Sequence, residues 1–520
     1  MAKDLTPLEE TIEEAGEGAA VPQPPHGDIT GASRPLITFS IMAATIMQAL
    51  DSTIANVALP RMQGTLSATQ DQMAWVLTSY IIAAAIMIPL TGWLAGRFGR
   101  KKVFLISIVG FTVSSALCGL ATSLSEIVFF RVLQGMSGAA LVPLSQAMLF
   151  DINPPENHGK AMSIWGVGVT LGPVLGPMLG GWLTEDYSWR WVFFINVPIG
   201  IIAFLGLSAS MPETERHSDR FDFFGFATLA VAIGALQLFL DRGQIKDWFG
   251  SAEIVAEAMT AGLAFYLFIV HSVTHPRPFL SPKLFADRNF VTANVFIFLV
   301  GVVLFATLAL VPPMLQNEMN YPVLASGLVT APRGLGTMIG MMVVGRLVGK
   351  IDARLIVAAG FGLTAFSLWQ MTGFDLLMDE KLVVISGLIQ GFGVGLAYVP
   401  ISTVAFSSLP RSLRNEGTAF FNLQRNIGSA IGISVVQTLL TRNTQIVHEA
   451  FSGHVTPYSG IDPYSLPGLA TLNHMITNQA AMIAYLDDYK LMMVLTLAVI
   501  PLLVVLRAKA GKSPEMAVME

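Results

Sequence analysis

The chain has 520 residues, of which 53% are hydrophobic and only 12% are charged, with a formal net charge of −5. Soluble domains carry about 25% charged residues. Because the deficit extends along nearly the whole sequence, it excludes a soluble protein with one hydrophobic domain and indicates a polytopic membrane protein. The single cysteine, Cys118, lies in an apolar segment, which excludes a disulfide and a thiolate metal site. Residues 1–35 are acidic and rich in Gly and Pro, and this composition predicts a disordered cytoplasmic tail.

Fourteen segments are long and apolar enough to cross a bilayer, which takes about 20 residues in a helix. The predicted spans cover 36–59, 73–95, 103–122, 125–149, 160–184, 190–210, 222–240, 253–271, 290–312, 325–348, 352–372, 381–405, 414–438 and 489–507. The predicted fold class is therefore all-α. Lys and Arg concentrate in the loops after even-numbered spans and in both terminal tails, including 508–520. By the positive-inside rule, we expect both termini on the cytoplasmic side.

Two parts of the chain share motifs at a nearly constant separation. Gln134 corresponds to Gln390 and Gly172 to Gly428, each pair 256 residues apart. We therefore expect an N-terminal six-helix bundle at 36–210, a C-terminal six-helix bundle at 290–507, and two inserted helices with flanking loops at 211–289. The polar segment 439–488 is predicted to be a periplasmic loop, either flexible or a docking surface for a partner.

One acidic residue interrupts the first span, LITFSIMAATIMQALDSTIANVAL (36–59). A carboxylate at the bilayer centre costs roughly 2.5–3.5 kcal/mol on insertion scales. Asp51 is therefore predicted to have a function that offsets this cost. Burial favours the protonated carboxyl, whereas a nearby Arg131 favours the ionised one. A rearrangement that separates the two residues would then move a proton. The alternative is a buried Asp51–Arg131 pair that only orients helices.

Three motifs combine glycine with arginine or proline. The segment GWLAGRFGRKKVF (92–104) joins spans 2 and 3 and contains Gly92, Arg97, Gly99 and Arg100, while its later counterpart GRLVGKID contains Gly345 and Asp352. The segment FFRVLQGMSGAALVP (129–143) contains Arg131, Gln134 and Gly135, and WGVGVTLGPVLGPMLGG (165–181) contains Gly172, Pro173, Gly176 and Pro177. Glycines permit close helix packing and prolines bend helices, so these residues are predicted to act in conformational change.

These motifs, together with LDSTIANVALP, WVLTSY, FFINVPIG and LDRGQIKDWF, resemble the fourteen-span drug:proton antiporter family of the major facilitator superfamily over about residues 36–440. The resemblance implies alternating access and export of amphipathic compounds across a Gram-negative inner membrane. It implies energy from the proton gradient without a cofactor, a role for Arg131 in proton coupling, and spans 1 and 4 as neighbours. It further implies a periplasmic adaptor (membrane fusion protein) and an outer-membrane channel as partners.

Polar or aromatic residues in several other spans are candidates for contact with a substrate between the two halves. They are Gln48, Asn56, Trp75, Gln316, Arg333 and Arg425. The C-terminal half has no acid that clearly lies at membrane depth, so neutral or anionic substrates are expected as readily as cations. His271 and His275 have no third ligand in the sequence pattern, and no metal site is predicted.

Other interpretations keep part of this picture. The same fold could export a metabolite, a siderophore or a fatty acid. A membrane sensor or scaffold without transport is disfavoured because no soluble signalling domain is appended, and a channel because the repeat and the proline-containing motif favour alternating access. The GKS at 511–513 lacks the glycine that a nucleotide-binding loop requires. Neither an enzyme nor a nucleic-acid-binding protein is predicted.

Overall fold

The computed structural model describes residues 33–68, 70–212, 221–348, 350–407, 409–410, 413–455 and 465–506. The helices are α1 (Ser33–Leu66), α2 (Gln70–Phe98), α3 (Arg100–Leu120), α4 (Leu124–Gly138), α5 (Leu141–Ile152), α6 (His158–Asp186), α7 (Trp191–Phe194), α8 (Asn196–Ser210), α9 (Phe223–Arg242), α10 (Ala252–Thr274), α11 (Lys283–Ala286), α12 (Arg288–Pro313), α13 (Val323–Leu347), α14 (Ala353–Met371), α15 (Glu380–Ser407), α16 (Arg414–Ser452) and α17 (Leu466–Val499). The all-α fold is confirmed. Apart from the first residues of α1, the predicted tails at 1–35 and 508–520 lie outside the described residues.

The described helices account for twelve of the fourteen predicted spans. Twelve helical segments in the described part of the chain, from Arg34–Leu59 to Glu380–Ser407, are long and apolar enough to cross a membrane. They coincide with the first twelve predicted spans. The last two predicted spans fall on α16 and α17, whose greater polarity includes Arg425 and Asp488. The count of fourteen spans, like the domain boundaries, stays a prediction.

The segment 439–488 is largely helical where the structure describes it, which corrects the prediction of a flexible loop. Helix α16 continues to Ser452 and α17 begins at Leu466. At 39 residues, α16 is about 58 Å long, which exceeds the roughly 30 Å of a hydrocarbon core. Polar composition indicated exposure to water, but it carried no information against a helix that simply continues out of the membrane.

Glycines bring α1 against α6, and α6 against the second half of the chain. Gly172 lies so close to the Ala49 backbone that a Cβ would overlap it, and Gly176 is equally close to Thr53. The Thr53 hydroxyl also donates to the Gly172 carbonyl at 3.0 Å. On another face of α6, Gly166 contacts Met341 of α13. Helix α6 therefore lies between the helix that carries Asp51 and the second half.

The halves also meet at the end of the bundle that carries Arg97, Arg100, Lys101 and Lys102, which we call the basic end. There Arg100 Nε donates to Asn415 Oδ1 at 2.7 Å, and Arg414 approaches Asp151 at 3.8 Å. The chain passes from α2 to α3 at Gly99, whose φ of 88° lies in the region that favours glycine. Gly92 lets the Glu416 backbone approach to within 3.1 Å of where a Cβ would stand. These contacts close the basic end between the halves.

The inserted helices α9 and α10 pack against each other, and α9 also packs against α2. At the start of α9, Asp222 accepts hydrogen bonds from the backbone N–H groups of Gly225 and Phe279 and lies 2.9 Å from His271 Nε2. A ring nitrogen of His275 lies within 4.8 Å of the ligand atoms of Asp222 and His271. The sequence pattern had indicated no third ligand beside the two histidines, and this was wrong, because Asp222 is distant in sequence. Partial burial opposes ionisation of Asp222, but its hydrogen bonds hold the pKa below the usual value.

Candidate functional site

Asp51 and Arg131 form a buried ion pair between α1 and α4. Arg131 Nη1 donates to Asp51 Oδ2 at 2.7 Å, and the two side chains are 1% and 0% exposed. The Arg131 guanidinium also donates through Nε to the Val76 carbonyl of α2 at 2.9 Å. A buried carboxylate stays ionised only when it is paired and hydrogen-bonded. This geometry therefore supports an ionised Asp51 in the present conformation.

Two amide side chains complete the coordination of the Asp51 carboxylate. Gln134 Nε2 and Asn196 Nδ2 donate to Asp51 Oδ1 at 2.8 and 2.9 Å. Gln134 is held because its carbonyl oxygen accepts from Arg131 at 2.8 Å, and Asn196 because it also donates to Ser115 at 2.9 Å. Two helices besides α1, α4 and α8, thus contribute the donors to Asp51. Hydrogen bonds to an ionised group are stronger than those to a neutral group, so the network favours the charged form of Asp51.

Aromatic rings enclose the guanidinium on its remaining sides. The Arg131 Cζ lies 4.1 Å from the ring centroid of Tyr80 and 5.8 Å from that of Phe193. Such cation–π contacts stabilise a desolvated cation. Tyr80 in turn accepts a hydrogen bond from Gln48 at 3.0 Å, which places that predicted residue one contact away from the ion pair. The ion pair is consequently buried away from water, in contact with side chains of α1, α2 and α4.

A second polar cluster lies between the two halves. Asn422 of α16 donates to Gln146 of α5 at 2.7 Å, and Gln146 donates to Tyr398 of α15 at 3.4 Å. The rings of Trp165 and Tyr398 stack across the interface at 6.0 Å with an interplanar angle of 19°. Arg425 reaches the Tyr398 hydroxyl at 3.5 Å, while its Nε is buried without a partner. These five residues, which we call the interface cluster, join the halves and include a guanidinium with spare hydrogen-bonding capacity.

The other predicted substrate residues are dispersed. Asn56 is exposed, and Trp75 is 39% exposed beneath the guanidinium of Arg242, at 5.6 Å. Gln316 donates to Ser326 at 3.3 Å. Arg333 is buried and donates to the Leu304 carbonyl at 2.8 Å. The structure thus brings Gln48 to the ion pair and Arg425 to the interface cluster, but it does not gather the remaining four into one site.

The motif residues divide between helix contacts and helix ends. Gln134 belongs to the Asp51 network, and Gly135 lies directly against the Tyr80 carbonyl. A Cβ at Gly345 would lie 2.8 Å from the hydroxyl of Ser163 in the other half. Asp352 caps α14 through the Arg354 N–H at 2.9 Å. Arg97 is exposed in the last turn of α2. Pro173 and Pro177 lie in α6, but their side chains are outside the described part of the structure.

Sequence reasoning missed several residues of both clusters. They are Ser115, Tyr80, Asn196, Gln146, Trp165, Tyr398 and Asn422. Each lies inside a predicted span, where a polar residue is itself a signal of function. Asn196 in FFINVPIG is the clearest example, since an amide in a hydrophobic span needs a partner.

Comparison with known proteins gives a consistent result. The family model for the Major Facilitator Superfamily matches residues 41–433. Over 433 residues the chain is 38% identical to fatty acid resistance protein FarB of Neisseria gonorrhoeae, covering 83% of this chain and 85% of that protein. Over 434 residues it is 37% identical to multidrug export protein EmrB of Escherichia coli, with the same coverage of 83% and 85%. The resemblance stated from the motifs is thereby confirmed.

Solved structures support the fold at much lower sequence identity. The proton:xylose symporter XylE is 15% identical, with a TM-score of 0.56 over 88% of this chain and 95% of that one. The human organic anion transporter MFSD10 is also 15% identical, with a TM-score of 0.56 over 91% of this chain and 100% of that one. At this identity the likeness concerns the fold alone.

Proposed function

The chain belongs to the Major Facilitator Superfamily, and on that premise we propose that it is a proton-coupled antiporter that exports amphipathic drugs and other toxic compounds. The observation that carries the proposal is the buried Asp51 carboxylate, held by Arg131, Gln134 and Asn196. The printed name of the Escherichia coli relative, a multidrug export protein, supports export as the direction. Transport across a bacterial inner membrane, with the basic end in the cytoplasm, agrees with the distribution of Lys and Arg.

Protonation of Asp51 would change the energetics of its network. A neutral carboxyl no longer balances the Arg131 charge, and an unpaired buried guanidinium is costly. The protonated state therefore favours a conformation in which Arg131 moves away from Asp51 or gains water. Return to the present conformation then requires loss of the proton. This cycle supplies the two states that exchange of a proton for a substrate needs.

A contiguous set of contacts links Asp51 to the interface between the halves. Asp51 lies in α1 between Ala49 and Thr53, the two residues that contact Gly172 and Gly176 of α6. The same α6 contributes Trp165 to the interface cluster and Ser163 to a hydrogen bond with the Met341 carbonyl of α13. A shift of α1 on protonation would therefore press on α6. Rocking of one half against the other about α6 is the corresponding transport motion.

A fatty-acid exporter is the second candidate function. Among the described residues, Arg333 and Arg425 form no ion pair, and each has a buried Nε without a partner. A buried guanidinium of this kind favours a carboxylate ligand. The printed name of FarB, a fatty acid resistance protein, points in the same direction. Amphipathic carboxylates are accordingly proposed as substrates beside uncharged drugs, in preference to siderophores or other metabolites.

A periplasmic adaptor and an outer-membrane channel complete the proposed export route. The helical extensions 439–452 and 466–488 stand beyond the length of helix that a bilayer accommodates. If the basic end is cytoplasmic, these extensions reach into the periplasm, and they are the surface that we propose an adaptor contacts.

Transport by purified protein in liposomes tests the proposal. With an imposed pH gradient, the wild type is expected to accumulate Nile red and laurate, and Asp51→Asn is expected to lose accumulation while still inserting normally. Asp487→Asn is the matched control, since Asp487 is exposed and its loss should leave accumulation unchanged. Accumulation by Asp51→Asn against a gradient of the substrate would refute proton coupling through Asp51.

A further inference from the structure

The C-terminal half contains a buried acid that the sequence pattern did not reveal. Asp488 was assigned to a polar outer segment, and Asp51 was expected to be the only clear acid within the membrane. In the structure Asp488 lies in α17 with its side chain 1% exposed. Its Oδ2 has no hydrogen-bond partner, and no ion pair to Asp488 exists within the described residues. Asp51 and Asp488 are thus both buried, but only Asp51 has a cation and hydrogen-bond donors.

The surroundings of Asp488 are apolar or phenolic. Helix α17 packs against α12, α14, α16 and the segment 314–318, and its Tyr485 and Tyr489 are buried beside Asp488. Glu318, half-buried at the end opposite to the basic end, is within electrostatic reach of Tyr485. Arg333 of α13 is within reach of Tyr489 on the other side. Tyr485 and Tyr489 thus precede and follow Asp488 on α17, with Glu318 near the first tyrosine and Arg333 near the second.

No positive charge within the described residues offsets a negative charge on Asp488. The only charged group of the described residues that acts on it directly is Asp487, its exposed neighbour, which repels a second negative charge. No charged group of α12, α14, α16 or 314–318 within the described residues acts on it. A buried carboxylate in such a setting is far more stable with a proton than without one. In this conformation Asp51 is thus the acid with a cationic partner, whereas burial without a partner favours the neutral form of Asp488.

The internal repeat relates the two acids. Gln390 donates to Thr307 at 3.2 Å, in positions 256 residues after Gln134 and Asp51. The Thr307 hydroxyl also contacts Met492 Sδ of α17 at 3.8 Å. Asp488 precedes Met492 by one helical turn, so its carboxyl lies one turn from the place that the repeat assigns to the Asp51 site. The second half thus has its acid on α17 instead of α12.

We propose that Asp488 is a second proton-binding site, which carries a proton in this conformation and exchanges it with water near Glu318 during the transport cycle. The inference rests on the proposed function as a proton-coupled exporter. Tyr485 lies about one helical turn before Asp488 and near Glu318, and its hydroxyl can pass a proton. Asp51 then takes up its proton in addition to the one on Asp488 before the halves rock, so that each transport cycle exchanges two protons.

Infrared spectroscopy of the purified protein tests the first part without a substrate. The wild type should show, at neutral pH, the carbonyl stretch of a protonated carboxyl that disappears in Asp488→Asn and persists in Asp487→Asn. Asparagine preserves the shape and neutrality of the protonated acid, so Asp488→Asn should still fold. Asp488→Glu, which keeps a carboxyl at this position, is the second variant to be measured. A wild-type spectrum without that band would overturn the proposal.

Accumulation of Nile red in liposomes at zero membrane potential tests the second part. At steady state, the limiting concentration ratio of a neutral substrate across the membrane equals the proton concentration ratio raised to a power. That power is the number of protons exchanged per substrate molecule. Asp488→Asn should therefore accumulate less than the wild type by a factor equal to the imposed proton gradient, whereas Asp487→Asn should match the wild type. Equal accumulation by Asp488→Asn would show a permanently protonated structural acid. That result would leave export by Asp51 intact, whereas accumulation by Asp51→Asn would reject the proposed function itself.

Discussion

Gln390 donates a hydrogen bond to Thr307 at 3.2 Å in the second half of the molecule, and the same two positions of the first half hold Gln134 and Asp51 at 2.8 Å. One copy of the repeated site therefore contains a carboxylate and the other a hydroxyl. A hydroxyl cannot carry the charge that proton exchange requires at neutral pH. The repeat preserved the helix geometry and diverged in chemistry, so these equivalent positions should respond differently to substitution.

Thr307→Val tests this asymmetry. The change removes a hydrogen bond worth about 1 kcal/mol but no titratable group, so pH-driven accumulation should stay within about twofold of the wild type. Asp51→Asn, measured beside it in the same liposomes, should lose accumulation. A loss of coupling in Thr307→Val as complete as in Asp51→Asn would contradict the difference between these two equivalent positions.

Asn196→Leu tests the amide that the sequence reasoning missed. Asn196 donates to Asp51 Oδ1 at 2.9 Å, and loss of a hydrogen bond to a charged group costs about 1.5–3 kcal/mol. Export should slow by about tenfold or more, and the response to external pH should change with it. Asn294→Leu is a control of the same shape, since Asn294 is also buried but bonds only within its own helix. Equal effects of both variants would indicate general damage to packing.

Gly172→Ala tests the contact between α1 and α6. An added Cβ would overlap the Ala49 backbone, and overpacking of this kind costs about 1–3 kcal/mol. The melting temperature in detergent should fall and export should slow. Gly181→Ala, in the same helix, meets no atom within 4 Å and should behave as the wild type. An unchanged melting temperature for Gly172→Ala would show that α1 and α6 are not tightly packed there.

Gln146→Leu tests the interface cluster as a closing contact. Gln146 bonds to both Asn422 and Tyr398 of the other half, and each such bond contributes about 0.5–1.5 kcal/mol. Spin-label distances across the basic end should show the open population rising by about tenfold. Gln437→Leu, an exposed position of α16, should leave the distances unchanged. A distance distribution equal to that of the wild type would show that the hydrogen bonds of Gln146 do not stabilise closure of the basic end.

Arg425→Gln tests the guanidinium of the interface cluster as a contact for anionic substrates. Its buried Nε has no partner, and a charge-assisted hydrogen bond contributes about 1.5–3 kcal/mol. Export of laurate should fall by about tenfold or more, whereas export of Nile red, which has no charge, should change little. Arg425→Lys should recover part of the laurate export. A uniform loss for both compounds would assign Arg425 to packing or gating.

The residues and their order along the chain determined much of this protein. Apolar runs of span length specify helices, because a backbone in hydrocarbon must satisfy its own hydrogen bonds. Motif spacing revealed the repeat and singled out Asp51, Arg131 and Gln134. Each of these inferences depends on local composition or on a pattern at fixed separation, and both can be read without coordinates.

The tertiary structure alone decided which polar groups share a site. Asn196 reaches Asp51 across 145 residues and Asn422 reaches Gln146 across 276, and packing of distant helices, which leaves no local pattern, sets such distances. The burial of Asp488 and the grouping of Asp222 with His271 escaped prediction for the same reason. Composition measures how polar a segment is, but only the packed neighbours determine whether a polar group faces water, a partner or neither.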